Sequence, residues 1–334
     1  MLRQLDRLTR SLPAAGPRAK ALAVYEVAGA LHPARESGDE GVACVDDAAR
    51  GLALYCELWA AAGHERFRER ARSLLEFVLW MQRPDGRFVN FVHDWDGRRN
   101  LEGPTSVAGG GFWQARGLRG LATAWVILDD AVAGEAFGRA LACVDRSDAV
   151  PPDVRAVHIA ALLDVMRAGR APELRERLSR WCDEIALKRL GDVLLDGETD
   201  EIHLWGHSQE TALAVAGALL GRGDLVEIAR RSAEAVFAAP ITSGFDLPLV
   251  QPYGVACAVH AMDALALATG DTRYAALAHD ARAWFDGRNP ARCPVYDRVA
   301  GRVADGIDEG RISPNSGAES NIVAAEALFA EIAV

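Results

Sequence analysis

Acidic side chains stand where two of the most apolar stretches of the chain begin. Asp46 and Asp47 open the run 48–62, and Glu319 opens the run that ends the sequence. A pair of carboxyl groups, one protonated and one ionised, can hydrolyse a glycosidic bond. Burial of one acid beside another raises its pKa, so the pair of Asp46 and Asp47 could hold a proton near neutral pH.

The same acids also suit a purely structural role. Asp46 or Asp47 can cap the start of a helix and pair with Arg50 one turn later. Ser316 and Glu319 have the spacing of a capping box, in which each side chain bonds to the backbone near the other. The residue types alone therefore leave a capping role and a catalytic role open for each acid.

Aromatic and hydrogen-bonding residues lie near the starts of the other apolar stretches. Sugar rings offer apolar C–H faces to Trp and Tyr, and hydroxyl groups to carboxylates, amides and arginine. The residues predicted to contact a saccharide are Arg50, Trp95, Trp113, Trp205, His207, Glu210, Gln251, Tyr253, Asp305 and Asn315. His203 and His207 have a zinc-like spacing without a third regularly spaced ligand, so we expect no metal and no cofactor.

Two kinds of helix alternate along the chain. Apolar, inner helices are predicted to begin near Asp46, Trp113, Val154, Gly206, Tyr253 and Gly317. Amphipathic, outer helices are predicted over 18–31, 65–81, 134–144, 172–187, 225–237 and 272–285. Short glycine turns lead from inner to outer helices, and long irregular segments lead back. This pattern places every long loop at one end of the fold.

Six such hairpins predict an all-α fold, an (α/α)6 barrel of about twelve helices whose inner helices begin around a common mouth. An open helical solenoid shows the same alternation, but its repeats keep similar lengths, whereas the loops here vary widely. The sequence lacks a composition break, so we expect a single domain over 1–334, with 1–17 as a candidate mobile N-terminal extension.

Charge and composition bear on partners and location. A net charge of −10 without a basic tract argues against nucleic acid or an anionic membrane as a partner. The sequence contains no apolar span of membrane length, and its six cysteines are scattered without a Cys-x-x-Cys pair. We therefore expect a cytoplasmic protein with free thiols, whose oligomeric state the sequence does not indicate.

The motifs resemble those of the six-hairpin glycosidase-like superfamily. The likeness is closest to bacterial members with Asp-Asp-Asn-Ala-Arg near the N-terminus and Gly-Ala-Glu-Ser at the last helix. Here, residues 46–50 read Asp-Asp-Ala-Ala-Arg, with Ala48 in place of the usual Asn, and 317–320 read Gly-Ala-Glu-Ser. The Gly-Arg-Asn-Pro element at 287–290 is similar to one in inverting cellulases.

This resemblance extends from about residue 42 to the C-terminus. It implies an (α/α)6 barrel that acts on a saccharide, with Asp46, Asp47 and Glu319 as the leading site positions. It does not imply a substrate, because barrels of this kind host hydrolases, lyases, phosphorylases and epimerases.

The main hypothesis is an inverting, metal-free glycoside hydrolase acting on an oligosaccharide or polysaccharide fragment. Glu319 would be one catalytic carboxyl and Asp46 or Asp47 the other, which requires them to lie within about 12 Å of each other. A sugar epimerase or uronate-processing enzyme is the alternative, and arginines near Tyr253 or His207 would favour it. Its proton-transferring candidates are His158, His207, His260 and Tyr253. A non-catalytic saccharide-binding protein is the third hypothesis.

Overall fold

The computed structural model describes residues 1–144, 150–197 and 203–333. Within these ranges the chain forms thirteen α-helices. They are α1 (Leu2–Leu8), α2 (Val45–Ala62), α3 (Glu65–Met81), α4 (Gly111–Ile127), α5 (Ala131–Val144), α6 (Pro152–Arg167), α7 (Arg175–Leu187), α8 (Gln209–Leu220), α9 (Gly223–Thr242), α10 (Pro252–Thr269), α11 (Thr272–Arg282), α12 (Ala318–Ala327) and α13 (Phe329–Ile332).

The even-numbered helices from α2 to α12 form a closed inner ring. Each packs against the next, and the last of them, α12, returns to pack against α2. Helices α3, α5, α7, α9 and α11 lie outside this ring, each beside the inner helix that precedes it. The contact of α12 with α2 distinguishes a barrel from an open solenoid, so the prediction of an all-α (α/α)6 barrel is confirmed.

Small residues allow the inner helices to approach closely. A Cβ atom at Gly120 of α4 would lie 2.9 Å from the Ala49 carbonyl oxygen of α2, too close for any residue but glycine. Helices α2, α8 and α10 end at Gly63, Gly221 and Gly270, all in the left-handed conformation. These glycines make the short turns to the outer helices that the sequence predicts.

The first outer helix differs from its prediction. Residues 18–31 are not a helix but contain strands β2 (Lys20–Leu22) and β3 (Tyr25–Val27), and β3 pairs with β4 (Ala30–His32). Ala28 and Gly29, both with positive φ, form the two-residue turn between β3 and β4. Val24, Tyr25 and Val27 are β-branched or aromatic residues that favour strands, a propensity that the helical prediction overlooked.

The short helix α1 takes the place of the sixth outer helix and packs against α12. Residues 1–17, predicted as a candidate mobile extension, are packed into the protein, since Leu5, Leu8 and Leu12 are fully buried. Leu5 and Leu8, three residues apart, give α1 the apolar stripe that it needs for this packing.

The remaining strands are short and antiparallel, and they order the long connections. They are β1 (Thr9–Ser11), β5 (Ala43–Cys44), β6 (Phe91–Val92), β7 (Arg189–Leu190), β8 (Val193–Leu194), β9 (Leu249–Val250), β10 (Tyr296–Asp297), β11 (Arg302–Val303), β12 (Ile307–Asp308) and β13 (Arg311–Ile312). Strand β1 pairs with β2, β5 with β6, β7 with β8 and β10 with β11, while β12 lies between β9 and β13. None of the helices described combines the length and apolar character needed to cross a membrane.

Asn321 fixes the start of α12 to the loop that precedes it. Its amide oxygen accepts a hydrogen bond from the Val303 N–H at 2.9 Å, and its amide nitrogen donates to Ser316 Oγ at 3.0 Å and to the Gly317 carbonyl oxygen at 2.8 Å. All of these atoms are buried, so the loop and the helix start are held in one arrangement.

We expect Asn321→Ala to lower the free energy of unfolding by about 1–3 kcal/mol, because it leaves buried backbone groups without partners. Urea denaturation measures this change. Leu267→Ala, at an exposed position on α10, is the control and should change stability by less than about 0.5 kcal/mol. Equal stability of the two variants would contradict the anchoring role of Asn321.

Candidate active site

A cavity of about 620 Å³ opens at the end of the barrel where the inner helices begin. Helices α2, α4, α10 and α12 contribute their first turns to its lining, and the long loops supply its sides. Its volume lies within the range usual for small-molecule sites. The predicted site residues that line it are Asp46, Asp47, Arg50, Trp113, Trp205, Gln251, Tyr253, Asp305, Asn315 and Glu319.

Three predicted contact residues do not line this cavity. Trp95 packs, half-buried, against the hydrophobic core. His207 and Glu210 are fully buried as a pair, with His207 Nδ1 2.9 Å from Glu210 Oε2. Glu210 also accepts a hydrogen bond from Ser232, and the His207 ring packs edge-on against Phe237, so the pair faces outer helix α9. Among the described residues, none from α6 or α8 lines this cavity. Both helices instead line an adjoining cavity of about 380 Å³, to which all six inner helices contribute.

Arg50 joins the three candidate catalytic acids. Its Nη2 atom lies 3.1 Å from Asp46 Oδ1 and 3.0 Å from Asp47 Oδ1, and its Nη1 atom donates to Glu319 Oε1 at 2.8 Å. The terminal nitrogens of a guanidinium are about 2.3 Å apart, so the contacting oxygens of Asp47 and Glu319 are separated by no more than about 8 Å. This separation satisfies the distance condition for paired carboxyl groups.

Arg116 holds Asp46 in its ionised form. Its Nη1 atom donates to Asp46 Oδ1, and its Nη2 atom donates to the Tyr253 hydroxyl at 2.8 Å. Burial by itself would raise the pKa of Asp46, but Arg116 and Arg50 together hold that pKa below its usual range. Asp46 is therefore a carboxylate throughout the neutral pH range.

The neighbouring acid, Asp47, has the opposite tendency. Burial raises its pKa to about 7, because the attraction of Arg50 is countered by the negative charges of Asp46 and Glu319. Its side chain is only 4% exposed, whereas that of Glu319 is 47% exposed. Cys44 caps helix α2 by accepting a hydrogen bond from the Asp47 N–H at 3.4 Å, and its Sγ atom lies 3.4 Å from Asp47 Oδ2.

Aromatic rings stand at the sides and the floor of the cavity. The indole N–H of Trp113 donates to the carbonyl oxygens of Phe88 and Val107, both at 3.2 Å, which fixes the ring. Trp205 is 45% exposed and stacks on His203 with 4.1 Å between ring centroids. The guanidinium groups of Arg50 and Arg116 lie 5.7 and 5.5 Å from the Tyr253 ring centroid. Trp113 and Trp205 therefore present partly exposed aromatic surface to the cavity.

Several residues of the cavity were absent from the predicted site. They include Tyr25, Glu36, Glu40, Thr105 and Phe112. Tyr25, Glu36 and Glu40 belong to the N-terminal segment around β3 and β4, part of which was predicted as an outer helix.

Candidate metal ligands are not clustered in the part of the chain that the structure describes. No group of three or more His, Cys, Asp or Glu side chains there has a geometry that could hold a metal ion. In the cavity, the carboxylates of Asp46 and Glu319 instead contact arginine. These carboxyl groups are thus paired with cations of the protein itself.

Comparison with known proteins gives structural neighbours only. No family model matches the chain, and no curated protein matches its sequence. Cellobiose 2-epimerase from Bacillus thermoamylovorans superposes with a TM-score of 0.75 at 9% identity, over 99% of this chain and 96% of that one. A sugar epimerase from a ruminal bacterium gives 0.74 at 12% identity, over 99% and 95%.

A family 76 glycoside hydrolase from a bovine Bacteroides thetaiotaomicron strain is a further neighbour. It gives a TM-score of 0.67 at 11% identity, over 95% of this chain and 73% of that one. Identities this low establish a shared fold and leave the reaction open. The neighbours agree with the closed helical barrel seen in the packing of α12 against α2.

We expect Arg50→Met to lower the free energy of unfolding by about 3–5 kcal/mol, because it leaves buried carboxylates without their counter-charge. The loss should be larger at pH 8 than at pH 5. Without Arg50 the pKa of Asp47 rises further above its unfolded value, so the stability of the variant falls as pH rises. Urea denaturation at both pH values measures the change.

The matched control for Arg50→Met is Arg231→Met, which removes an exposed arginine that pairs with Glu227. It should cost less than about 1 kcal/mol at either pH. A loss in Arg50→Met as small as that of the control, or one that does not depend on pH, would contradict the counter-charge role of Arg50.

Proposed function

We propose that this protein is a glycoside hydrolase that cleaves an oligosaccharide or polysaccharide fragment with Asp47 as general acid and Glu319 as general base. One observation carries the proposal: Arg50 contacts both side chains, of which Asp47 is buried and Glu319 is open to solvent. Burial raises the pKa of Asp47 to about 7, which suits a proton donor. A glycosidase needs such a proton donor and such a water-activating carboxylate on opposite sides of the bond.

Glu319 suits the role of base because of its position. It lies in the first turn of α12, and its half-exposed carboxylate lines the cavity, where a water molecule can reach it. The upper limit of about 8 Å between the contacting oxygens of Asp47 and Glu319 admits the spacing of inverting enzymes, about 6.5–9.5 Å, as well as the shorter spacing of retaining ones, about 5–5.5 Å. Because Glu319 is open to water and is assigned as a base rather than a nucleophile, we propose inversion at the anomeric carbon.

Asp46 and Arg116 would support this pair without transferring a proton. Asp46 remains ionised and shares Arg50 with Asp47, so its negative charge helps to keep a proton on Asp47. The carboxylate of Asp46 and the hydroxyl of Tyr253, both held by Arg116, are also placed to bind sugar hydroxyl groups at the cavity floor.

The resemblance in fold to sugar epimerases makes epimerisation the second candidate. That reaction would need a histidine or tyrosine in the cavity. Among the described lining residues there is no histidine: His158 is buried with a pKa lowered to about 3, and His260 lines the adjoining cavity of about 380 Å³, which shares Arg50, Arg116 and Tyr253 with the first. Of the proton-transferring residues proposed from the sequence, Tyr253 alone lines the first cavity, with Tyr25 as a second tyrosine. Because no histidine is placed there, we take hydrolysis as the first candidate.

The arginines near Tyr253 likewise do not favour a uronate-processing enzyme. Arg50 is engaged by three carboxylates, and Arg116 by Asp46 and the Tyr253 hydroxyl. Neither guanidinium is left free to bind the carboxylate of a uronate.

We expect wild-type protein to release reducing sugar from at least one member of a panel of oligosaccharides, and Glu319→Gln to lose this activity by at least about 100-fold. A reducing-end assay on both proteins measures it. Binding of a saccharide by wild type with no cleavage or isomerisation of any panel member would favour the non-catalytic alternative. Formation of an epimer without hydrolysis would favour the epimerase.

Aryl glycosides with a nitrophenol leaving group separate the roles of the two acids. Nitrophenolate leaves without protonation, so Asp47→Asn should cleave such a substrate at a rate close to wild type yet cleave an oligosaccharide about 100-fold or more slowly. Glu319→Gln should be impaired on both substrates. Equal losses on both substrates in Asp47→Asn would contradict its assignment as the acid.

The pH dependence of kcat/KM tests the same assignment in the unmodified protein. Asp47 must carry a proton to act as the acid, and burial raises its pKa to about 7. Activity on an oligosaccharide should therefore fall as pH rises through about 7, and activity on the nitrophenyl glycoside should not fall in that range. Proton NMR of the first product formed should show the inverted anomer.

A further inference from the structure

The cavity contains far more negative than positive side chains. Its described lining has six carboxyl groups, from Glu36, Glu40, Asp46, Asp47, Asp305 and Glu319. It has two guanidinium groups, from Arg50 and Arg116, and no lysine. The excess persists if Asp47 is protonated, since five carboxylates then face two cations.

Neither cation is available to a ligand. Arg50 is shared by Asp46, Asp47 and Glu319, and Arg116 is bound to Asp46 and to the Tyr253 hydroxyl. An anionic ligand would therefore have to displace a carboxylate of the protein from an arginine that is mostly buried.

The wall built by the N-terminal segment carries its own negative charge. The Tyr25 hydroxyl donates to Glu36 Oε1 at 2.6 Å. Glu40 accepts hydrogen bonds from the Glu36 N–H at 2.9 Å and from the Thr105 hydroxyl at 2.6 Å. All four residues line the cavity, and within the described chain neither glutamate forms an ion pair. These contacts fix two carboxyl groups beside the sugar site without neutralising them.

We propose that the cavity is a charge filter that admits neutral and amine-bearing saccharides and excludes uronates, with Glu36 and Glu40 as the residues that set this specificity. The inference rests on the proposed function only in that the occupant is a saccharide. A ligand carboxylate in the cavity meets like charge at short range, which is costly where water is partly excluded. A protonated amine on the sugar is instead attracted by the same carboxyl groups.

A panel of oligosaccharides matched in length tests the filter. Each sugar configuration, gluco, galacto and manno, is presented as a neutral, an amine-bearing and a uronate form, and binding to wild type is measured by isothermal titration at low salt. For a configuration that binds, the amine-bearing form should bind at least as tightly as the neutral form, and the uronate at least about tenfold more weakly. Added salt should reduce both differences.

The variant Glu36→Gln identifies the residue responsible. It should lower the ratio of the Kd for the uronate form to the Kd for the neutral form about fivefold, the effect of removing one nearby charge. This ratio is called the gap below. Glu65→Gln, which removes an exposed carboxylate on α3 far from the cavity lining, is the matched control and should leave the gap unchanged.

The outcomes separate this inference from the proposed function. Binding in the predicted order without cleavage would support the charge filter and contradict hydrolysis. Cleavage with uronates bound as tightly as neutral forms would overturn the filter and leave hydrolysis standing. Absence of binding by every member of the panel, or an unchanged gap in Glu36→Gln, would also overturn the filter.

Discussion

The ion pairs of Arg50 are the interaction on which the rest of the site depends. This one guanidinium, mostly buried, connects Asp46 and Asp47 at the start of α2 to Glu319 at the start of α12. These are the first and last inner helices, and their contact closes the barrel. The candidate catalytic pair therefore forms only when the two ends of the ring meet, so closure of the fold and assembly of the site are one event.

Two adjacent residues of the same type acquire different chemistry from their surroundings. Asp46 receives Arg116 as well as Arg50 and stays ionised, whereas Asp47 lies deeper, beside the Cys44 thiol, and its pKa rises to about 7. The negative charge of Asp46 contributes to that rise. Two arginines are shared unevenly among three acids. One acid of the cluster can therefore hold a proton while its neighbours stay ionised.

The repeat pattern of the sequence predicted the barrel and most of the cavity because inner helices are apolar on nearly every face. It could not predict the segment 18–31, where the few strand-favouring residues, Val24, Tyr25 and Val27, do not outweigh a helix-like composition. His207 and Glu210 were misplaced for another reason. Periodicity shows that α8 is buried but not whether its first turn faces the mouth or, as here, the outer helix α9. The ion pairs of Arg50 and Arg116 join residues distant in sequence, which a single sequence does not reveal.

The most direct test is an NMR titration of the two aspartates, in which the carbon-13 shifts of their carboxyl groups are recorded from about pH 3 to about pH 9. Asp46→Asn and Asp47→Asn variants assign the signals. We expect the Asp47 carboxyl to titrate near pH 7 and that of Asp46 to titrate below its usual range. Titration of Asp47 at the usual value for an aspartate would contradict the separation of a proton donor from its neighbours.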